Sequence, residues 1–338
     1  MKEIAEVADC SIMTVSLALR NSPKLSPQTR DRIQKIAKDL GYHPNPMVSA
    51  LMTNRRQSQQ TDSDVIAVLT KFDTPVQKTK NLDIFYKDLW RGLDERAKEL
   101  GFRLEEFPVY FKRQAKGEEL TRILKARGIR AIILLPGGGM ERDFPNLEWQ
   151  HFCTVAAAFH SKRTQVHRIA SDHAQAMDTA LAQIEALGYR RPGLAMTAFL
   201  DPSIRYAMSG RFFVWQQTMS KSCQIPLIPS KAEFITRELF TKWYQTYQPD
   251  LILSLDPMVP EWLKELPGGK QSGFVYLAKK STDQLAGVNL RTYDVGRAAI
   301  NTLARELYLN HYGLPKIPEL ILVQGEWEPG SSAPGLRA

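Results

Sequence analysis

Short apolar runs alternate with amphipathic helical stretches along the chain from Val65 onward. The apolar runs, which we interpret as strands, are residues 65–72, 129–136, 152–159, 193–198, 251–256 and 274–278. A helix between two strands returns the chain to the edge where it started, so this rhythm predicts α/β architecture with parallel sheets. The length of this part favours two doubly wound lobes over one barrel, although periodicity alone leaves both open.

The first 43 residues follow a different pattern, which predicts three short helices. Apolar residues recur at helical spacing over 2–8 and 12–20, on either side of a tight turn. Ser11 is the expected N-cap of the second helix, and the third begins after Ser26 and ends at Gly41. Three helices with a tight turn before the second form a helix-turn-helix, whose second helix enters the DNA major groove.

The formal net charge of the chain is +9, and the basic residues are unevenly distributed. The first 57 residues hold nine Lys and Arg against five Asp and Glu. A basic excess in a small N-terminal module is typical of proteins that bind a polyanion such as nucleic acid.

The cysteines exclude several classes of protein. Cys10, Cys153 and Cys223 lie far apart and form no CxxC or Cys/His cluster, which argues against a disulfide framework or a zinc site. We therefore expect no metal and no cofactor. No apolar run approaches the ~20 residues that a bilayer span needs. The N-terminus lacks a hydrophobic signal core, so we expect a cytoplasmic protein without membrane contact.

Several short motifs resemble the LacI/GalR family of bacterial transcription regulators. Those in the first 51 residues are Lys2-Glu3-Ile4-Ala5, Thr14-Val15-Ser16, Ser26…Thr29-Arg30, Leu40-Gly41-Tyr42, and Pro44-Asn45 before a hinge ending in Leu51. The body resembles the family's periplasmic-binding-protein-like effector domain more loosely. Its matching pieces are Gly92, Gly101-Phe102, Leu187-Gly188-Tyr189-Arg190-Arg191, Gly296-Arg297 and Gly325-Glu326-Trp327.

This resemblance implies an all-α helix-turn-helix head, a hinge helix with a linker, and an α/β two-lobed effector-binding and dimerisation domain. These take residues 1–44, 45–62 and 63–338, with the N-lobe at about 63–160 and 286–319 and the C-lobe at about 161–285 and 320–335. The chain is expected to cross between the lobes near 160, 285 and 320. The resemblance also implies a small-molecule effector in the cleft and a homodimer on a pseudo-palindromic double-stranded operator.

The recognition-helix positions that reach base edges in the family carry apolar residues here, namely Ile12, Met13 and Leu17. They lack the paired hydrogen-bonding groups with which Arg, Asn or Gln read guanine and adenine. We expect them to pack on thymine methyl groups, although Leu17 also fits the core of the bundle. Helix N-termini and short polar or basic side chains are the expected phosphate contacts. These candidates are Ser11, Thr14, Ser16, Arg20, Asn21 and Arg30.

The hinge segment 46–53 is too short for a stable isolated helix. The resemblance implies that it orders on DNA, where Leu51 of each subunit wedges into a central minor-groove step. Asn45 is a hydrogen-bonding candidate beside it. An alternative interpretation makes the apolar residues of this segment a seam between subunits, and the two interpretations are compatible.

Ligands of open α/β sheets bind outside the carboxyl ends of the strands, and this rule nominates the effector residues. The candidates are Phe72, Asp73, Asp172, Arg205, Asp256, Lys279 and Asn289. A sugar or related metabolite needs converging polar groups and an aromatic face, for which Phe72, Tyr86 and Trp215 are candidates. Many family members carry an acidic residue at the position of Lys279, so this lysine favours an anionic ligand or the loss of a ligand. Each candidate also fits a purely structural role.

Three other classes of protein are alternatives. The glycine-rich run 136–139 matches neither nucleotide-binding pattern, and no HExxH or GxSxG motif supports an enzyme. A free solute-binding protein needs an export signal and no DNA-binding head. A ligand-independent DNA-binding protein of the same fold is the third. The sequence therefore predicts a cytoplasmic, dimeric, ligand-responsive DNA-binding regulator, a repressor rather than an activator, and not an enzyme.

Overall fold

The head is a bundle of three helices, as predicted. In the structure, a computed structural model, these are α1 (Lys2–Val7), α2 (Ile12–Leu19) and α3 (Pro27–Asp39). The structure describes residues 2–19, 22, 25–42, 65–72, 75–76, 84–109, 116–135, 144–158, 164–196, 201–228, 235–280 and 284–336. Within these ranges, no helix has the length and apolar character that crossing a membrane requires.

One small apolar core and two side chains of α3 hold the head together. The core contains Ile4, Ala5, Ala8, Val15, Ala18, Ile33 and Ala37. Arg32 donates from Nη2 to the carbonyl oxygen of Ala8 (3.0 Å), and Gln34 donates from Nε2 to that of Ala18 (2.8 Å). Both carbonyls lie at helix ends, where intrahelical donors run out. These bonds therefore tie the ends of α1 and α2 to α3 and fix the direction of α2.

A six-stranded parallel sheet forms the first lobe. Its strands are β1 (Val65–Thr70), β2 (Arg103–Pro108), β3 (Ala131–Leu135), β4 (Cys153–Ala157), β5 (His167–Ser171) and β10 (Leu320–Val323), in the spatial order β10-β5-β4-β3-β1-β2. Helices α4 (Ile84–Glu99) and α10 (Thr292–Leu309) cover one face, and α5 (Gly117–Ala126) lies on the other.

Helices α4 and α10 cross at two glycines, Gly92 and Gly296. A Cβ atom at Gly296 would lie 2.4 Å from the carbonyl oxygen of Leu89, and one at Gly92 would lie 2.0 Å from that of Tyr293. Real side chains do not tolerate such distances to backbone atoms, so only glycine permits this crossing.

A five-stranded sheet forms the second lobe. Its strands are β6 (Pro192–Ala195), β7 (Leu251–Ser254), β8 (Gly273–Tyr276), β9 (Ala286–Asn289) and the antiparallel β11 (Glu326–Glu328), in the order β11-β9-β8-β7-β6. One face carries α6 (His173–Ala186) and α7 (Ala207–Gln216), and the other carries α8 (Arg237–Tyr247) and α9 (Val259–Glu265). Two sheets with helices on both faces confirm two doubly wound lobes and exclude the single barrel.

The chain crosses between the lobes three times, at 171–173, 289–292 and 323–326. The predicted crossings near 160, 285 and 320 all come too early. Strands β5 and β10, placed in the C-lobe by the prediction, belong to the first sheet, and β9 belongs to the second. For β10 the error has a physical cause: it is an edge strand whose exposure alternates, and its sequence pattern does not say which sheet it joins. Strands β5 and β9 lie inside their sheets, and the sheet that each joins depends on partner strands elsewhere in the chain.

Each folding unit holds one cysteine. Cys10 is half-buried in the head, and Cys153 is buried in β4 of the first lobe. Cys223 is half-buried at the end of a short 3-10 turn in the second lobe. All three are free thiols.

Candidate DNA-binding surface and effector cleft

Helix α2 begins at a serine cap, as the sequence predicts. The Oγ of Ser11 accepts a hydrogen bond from the backbone N–H of Thr14 (3.1 Å) and lies 2.9 Å from the Oγ1 of Thr14. Asp9, in the turn before the cap, has a left-handed φ of 47°, a conformation that Asp tolerates better than most residues. The cap and the turn together fix where α2 starts.

Helix α2 has one buried side and one outward side. Val15 and Ala18 are fully buried in the head core. Ile12 is 45% exposed and Met13 is 73% exposed, so the prediction that both face outward is confirmed. Leu17 is half-buried and does not belong to the apolar core cluster of the head. The start of α2 therefore presents apolar side chains to solvent.

Of the predicted phosphate contacts in the described part of the head, Ser11 is exposed and the others are only partly so. Thr14, Ser16 and Arg30 are half-buried, and the Nε of Arg30 lies 3.5 Å from Asp31. Ser26 caps α3, since its Oγ accepts a bond from the backbone N–H of Thr29 (3.2 Å). Four further candidates lie outside the described residues: Arg20, Asn21, Asn45 and Leu51.

At the carboxyl end of β1, Phe72 is half-buried and packs edge-on against Tyr86, with ring centroids 4.9 Å apart. Asp73, predicted beside it, lies outside the described residues. Between β1 and Phe72, Lys71 is buried with its Nζ 5.4 Å from the ring centroid of Phe144. The sequence prediction missed this buried cation, although a lysine inside the apolar run 65–72 was a signal.

On the second lobe, Arg205 is exposed at the carboxyl side of β6. Arg205 and Tyr206 have left-handed φ values of 59° and 57°, an uncommon conformation for side-chain-bearing residues. Nearby, Ser209 donates to the buried carboxylate of Asp201, whose Oδ1 has no hydrogen-bond partner within the described part of the chain. Burial raises the pKa of Asp201.

Burial also raises the pKa of Asp256, which follows β7 and accepts a hydrogen bond from the N–H of Met258 (2.9 Å).

Arg168 on β5 was not predicted. Its pKa is lowered by burial and, secondarily, by the positive charge of Arg205. The Nε of Arg168 has no partner among the described residues, and its Nη2 reaches Thr164 and Gln165 only at 3.4 Å. The charge of Arg205 on the second lobe thus acts on Arg168 on the first lobe. The signal in the sequence was a charged residue within a short strand.

Two predicted effector residues make structural hydrogen bonds at the crossings. Asp172 caps α6 by accepting from the N–H of Gln175 (3.0 Å), and its own N–H donates to the carbonyl of Val323 (2.8 Å). Asn289 donates from Nδ2 to Glu328 (2.8 Å) and accepts from the N–H of Arg291 (2.9 Å).

Lys279 is also engaged within the protein. Its side chain is only 2% exposed, and its Nζ lies 3.6 Å from the Oε2 of Glu328. The carboxylate neutralises the ammonium group, so the interpretation of Lys279 as an attractor of anionic ligands is not supported by this geometry. The partner lies on β11, just after the third crossing and 49 residues further along the chain, and no local pattern reveals it.

The crossings are hydrogen-bonded to each other. Ser171 donates from Oγ to the carbonyl of Leu290 (2.8 Å), a buried bond that joins the first and second crossings. Gln175 accepts through Oε1 from the N–H of Gly325 (2.9 Å), which ties the third crossing to α6. No group of three or more His, Cys, Asp or Glu residues in the described ranges has a metal-binding arrangement.

Three head helices with a tight turn before the second, followed in the chain by two doubly wound lobes with three crossings, define a class of protein by its fold: a helix-turn-helix head with a two-lobed α/β body. Residues 1–45 match the family model of the bacterial regulatory proteins of the lacI family. The head is therefore a LacI-family head, and the resemblance found in the sequence is confirmed.

Known proteins resemble this chain in part of the sequence and in the whole fold. The regulator DegA of Bacillus subtilis is 29% identical over 135 residues, which are 40% of this chain and 35% of DegA. This chain thus spans about a third of that relative. The lac repressor dimer bound to operator and the anti-inducer ONPF superposes with a TM-score of 0.56 at 15% identity, over 98% of both chains. The regulator CelR with cellobiose gives 0.55 at 16% identity, over 97% of this chain and 98% of CelR.

Proposed function

We propose that this protein is a sequence-specific DNA-binding transcription regulator that acts as a repressor. It binds a pseudo-palindromic operator as a homodimer, and a small molecule between its lobes sets its operator affinity. A sugar or related metabolite is the first candidate, because cellobiose is bound in a regulator of this fold. The protein acts in the cytoplasm, needs no metal or cofactor, and catalyses no reaction.

The outward side of α2 is the observation that carries the proposal. A helix-turn-helix places the N-terminal residues of its second helix against base edges in the major groove. Here that end is fixed by the Ser11 cap, supported from behind by Val15 and Ala18, and exposed at Ile12 and Met13. An exposed apolar pair at the start of a rigid helix has no role in the head's own core, whereas a groove in DNA gives it one.

Support for an effector comes from the facing edges of the two lobes. The charge of Arg205 on the second lobe acts on Arg168 on the first lobe, and the Nε of Arg168 and the Oδ1 of Asp201 have no partner among the described residues. Polar groups that the described part of the protein leaves unpaired favour a polar ligand, because buried polar groups normally have partners. Phe72 and Tyr86 supply an aromatic surface at the edge of the first lobe.

The mechanism is a shift between two arrangements of the lobes. The crossings are backbone segments joined by the Ser171–Leu290 bond, so the lobes move about a defined hinge. An effector that prefers one arrangement changes its population, and the segment 45–62 transmits the change to the head. Coupling of this kind is typically worth ~1–3 kcal/mol, which is about 5- to 150-fold in operator affinity.

Selection of DNA from a random pool by the full chain tests the DNA-binding half. We expect enrichment of a pseudo-palindromic site at ~150 mM salt, where non-specific phosphate binding is weak. Enrichment of no sequence contradicts the proposal. Once an operator is known, Leu51→Ala should weaken its binding and reduce its bend in an electrophoretic phasing assay. Sedimentation should find the dimer intact, and an unchanged bend would refute the wedge.

The ligand-independent alternative rests on one observation, the internal bonding of Asp172, Lys279 and Asn289. A metabolite screen distinguishes the two functions. The full chain, with and without operator, is heated with each of a panel of sugars, sugar phosphates and nucleosides. A ligand that raises the melting temperature and changes operator affinity supports the regulator, and a panel without such a ligand supports the alternative.

A further inference from the structure

The start of α2 has an unusual set of side chains for a helix that enters a DNA groove. From Ser11 to Leu19 the sequence contains no Arg, Lys, Asn, Gln, Asp or Glu. The hydroxyl groups of Ser11 and Thr14 hydrogen-bond to each other within the cap. The surface that remains consists mainly of Ile12 and Met13, 45% and 73% exposed.

The DNA major groove offers such a surface one complementary group. Each base pair presents hydrogen-bond donors and acceptors there, and thymine alone among the standard bases adds an apolar group, the C5-methyl. Aliphatic side chains cannot satisfy donors and acceptors, so placing them against a methyl avoids the cost of stripping water from polar base edges.

We propose that the head reads its operator through C5-methyl groups, which Ile12 and Met13 contact in each half-site. The inference rests on the proposed function and names the chemical group that the site recognises. It has a consequence beyond thymine: 5-methylcytosine carries its methyl group at the same place in the groove. The protein then distinguishes methylated from unmethylated cytosine at a contacted position.

Deoxyuridine provides the direct test, because it lacks only the methyl group of thymidine. The operator selected by the full chain is synthesised with each dT in turn replaced by dU, and binding is measured by fluorescence anisotropy. Burying one methyl group is worth about fourfold in affinity, so we expect about that loss at each contacted position and none elsewhere. At the same positions, a 5-methylcytosine–guanine pair should bind more tightly than a cytosine–guanine pair.

Variants of the full chain assign the effect to the two side chains. The double variant Ile12→Ala, Met13→Ala should bind the dT and dU operators with nearly equal affinity. Neither residue belongs to the core, so the head should keep its helical circular dichroism. Val7→Ala is the matched control: Val7 is 59% exposed but lies on α1, and its variant should keep the full difference between dT and dU.

The outcomes separate this inference from the proposed function. Tight binding to a selected operator with no loss on any dU substitution overturns the methyl readout and leaves the regulator in place. A dU penalty that persists unchanged in the double variant also overturns it, because the methyl then acts through DNA shape. Failure to select any operator overturns the proposed function and this inference together.

Discussion

The head and the body of this protein use their predicted functional residues differently. In the head, Ile12 and Met13 lie on the surface, where the sequence places them. In the body, Asp172 and Asn289 bond to backbone groups at the crossings, and Lys279 forms a buried ion pair. Position along a strand or helix thus predicts where a side chain lies, but the segments packed against it decide whether it is free to bind a ligand.

The reason lies in the carboxyl ends of parallel strands. These ends face the cleft, so polar residues there can meet a ligand. The following helix also begins there, and its first N–H groups need acceptors. Asp172 shows how capping competes with ligand binding. It lies at the carboxyl end of β5, and one of its carboxylate oxygens accepts a hydrogen bond from the N-terminus of α6. In α2 the cap is Ser11, so the exposed apolar pair Ile12 and Met13 is not needed for capping.

The largest expected difference between the body and the head is the loss of stability at acid pH. His173 opens α6 in the body, where burial lowers its pKa from 6.5 to about 4 and its Nδ1 donates to the carbonyl of Ser171 (2.9 Å). Between pH 6.5 and 4 the His173 ring binds a proton in the unfolded chain but stays neutral in the folded protein. The free energy of unfolding of the body should therefore fall between pH 6.5 and 4, by about 3 kcal/mol in total. Urea titrations across this range measure the slope.

A matched variant isolates this histidine. The amide of Asn can donate to the same carbonyl but does not titrate, so His173→Asn should remove that part of the pH dependence. The described residues of the head contain no histidine, and its unfolding should lack this slope. The same slope in the variant as in the parent would assign the acid sensitivity to other groups.

The second prediction concerns Lys279. If its ammonium is structural, Lys279→Met leaves the carboxylate of Glu328 without its ion-pair partner. We expect a loss of about 2 kcal/mol in the free energy of unfolding, below the range for fully buried pairs because Glu328 is 24% exposed. Denaturant titration measures it. Lys264→Met is the control, since its pair with Glu261 is exposed and should contribute less than about 0.5 kcal/mol. Unchanged stability with a lost effector response would reverse our interpretation.

The third prediction compares two caps in the head. Ser11→Ala and Ser26→Ala each remove an N-cap, and each should cost about 1 kcal/mol in head stability. Only Ser11 lies at the start of α2, so Ser11→Ala should weaken operator binding more than Ser26→Ala does. Thermal unfolding and operator titration measure the two effects. Equal losses of operator affinity would mean that the cap acts through stability alone.

The smallest effect on stability is expected at Arg205. Its side chain is exposed, so Arg205→Ala should change the free energy of unfolding by less than about 0.5 kcal/mol. Operator affinity without effector should also stay the same, whereas the response to effector should disappear. Arg211→Ala is the control, because Arg211 is exposed on α7 and lies 3.8 Å from Asp178. A full response in the Arg205 variant would remove this residue from the effector site.

The features predicted correctly from the sequence are those set by local rules. The caps at Ser11 and Ser26 depend on residues three positions away. The alternation of apolar runs and amphipathic helices predicted α/β architecture with parallel sheets, which the structure confirms. Each of these patterns is contained within one helix or one strand–helix unit.

The features that were missed depend on distant segments. Lys71 is buried against Phe144, and Arg168 is affected by Arg205 from the other lobe. The crossings were placed too early because the sheet that a strand joins depends on partner strands elsewhere in the chain. The sequence marks Lys71 and Arg168 as charged residues in or beside apolar runs, but it does not show which segments they meet.

The three free thiols lie one in each folding unit, so their alkylation reports the order in which the units open. An alkylating reagent reacts with a thiolate that it can reach. Burial raises the pKa of Cys153 to about 12, so this thiol does not react with the reagent until β4 separates from its sheet. Cys10 and Cys223 are half-buried and report the loosening of the head and of the second lobe. Alkylation followed by peptide mass spectrometry can therefore record which unit opens first, on and off DNA, without an introduced label.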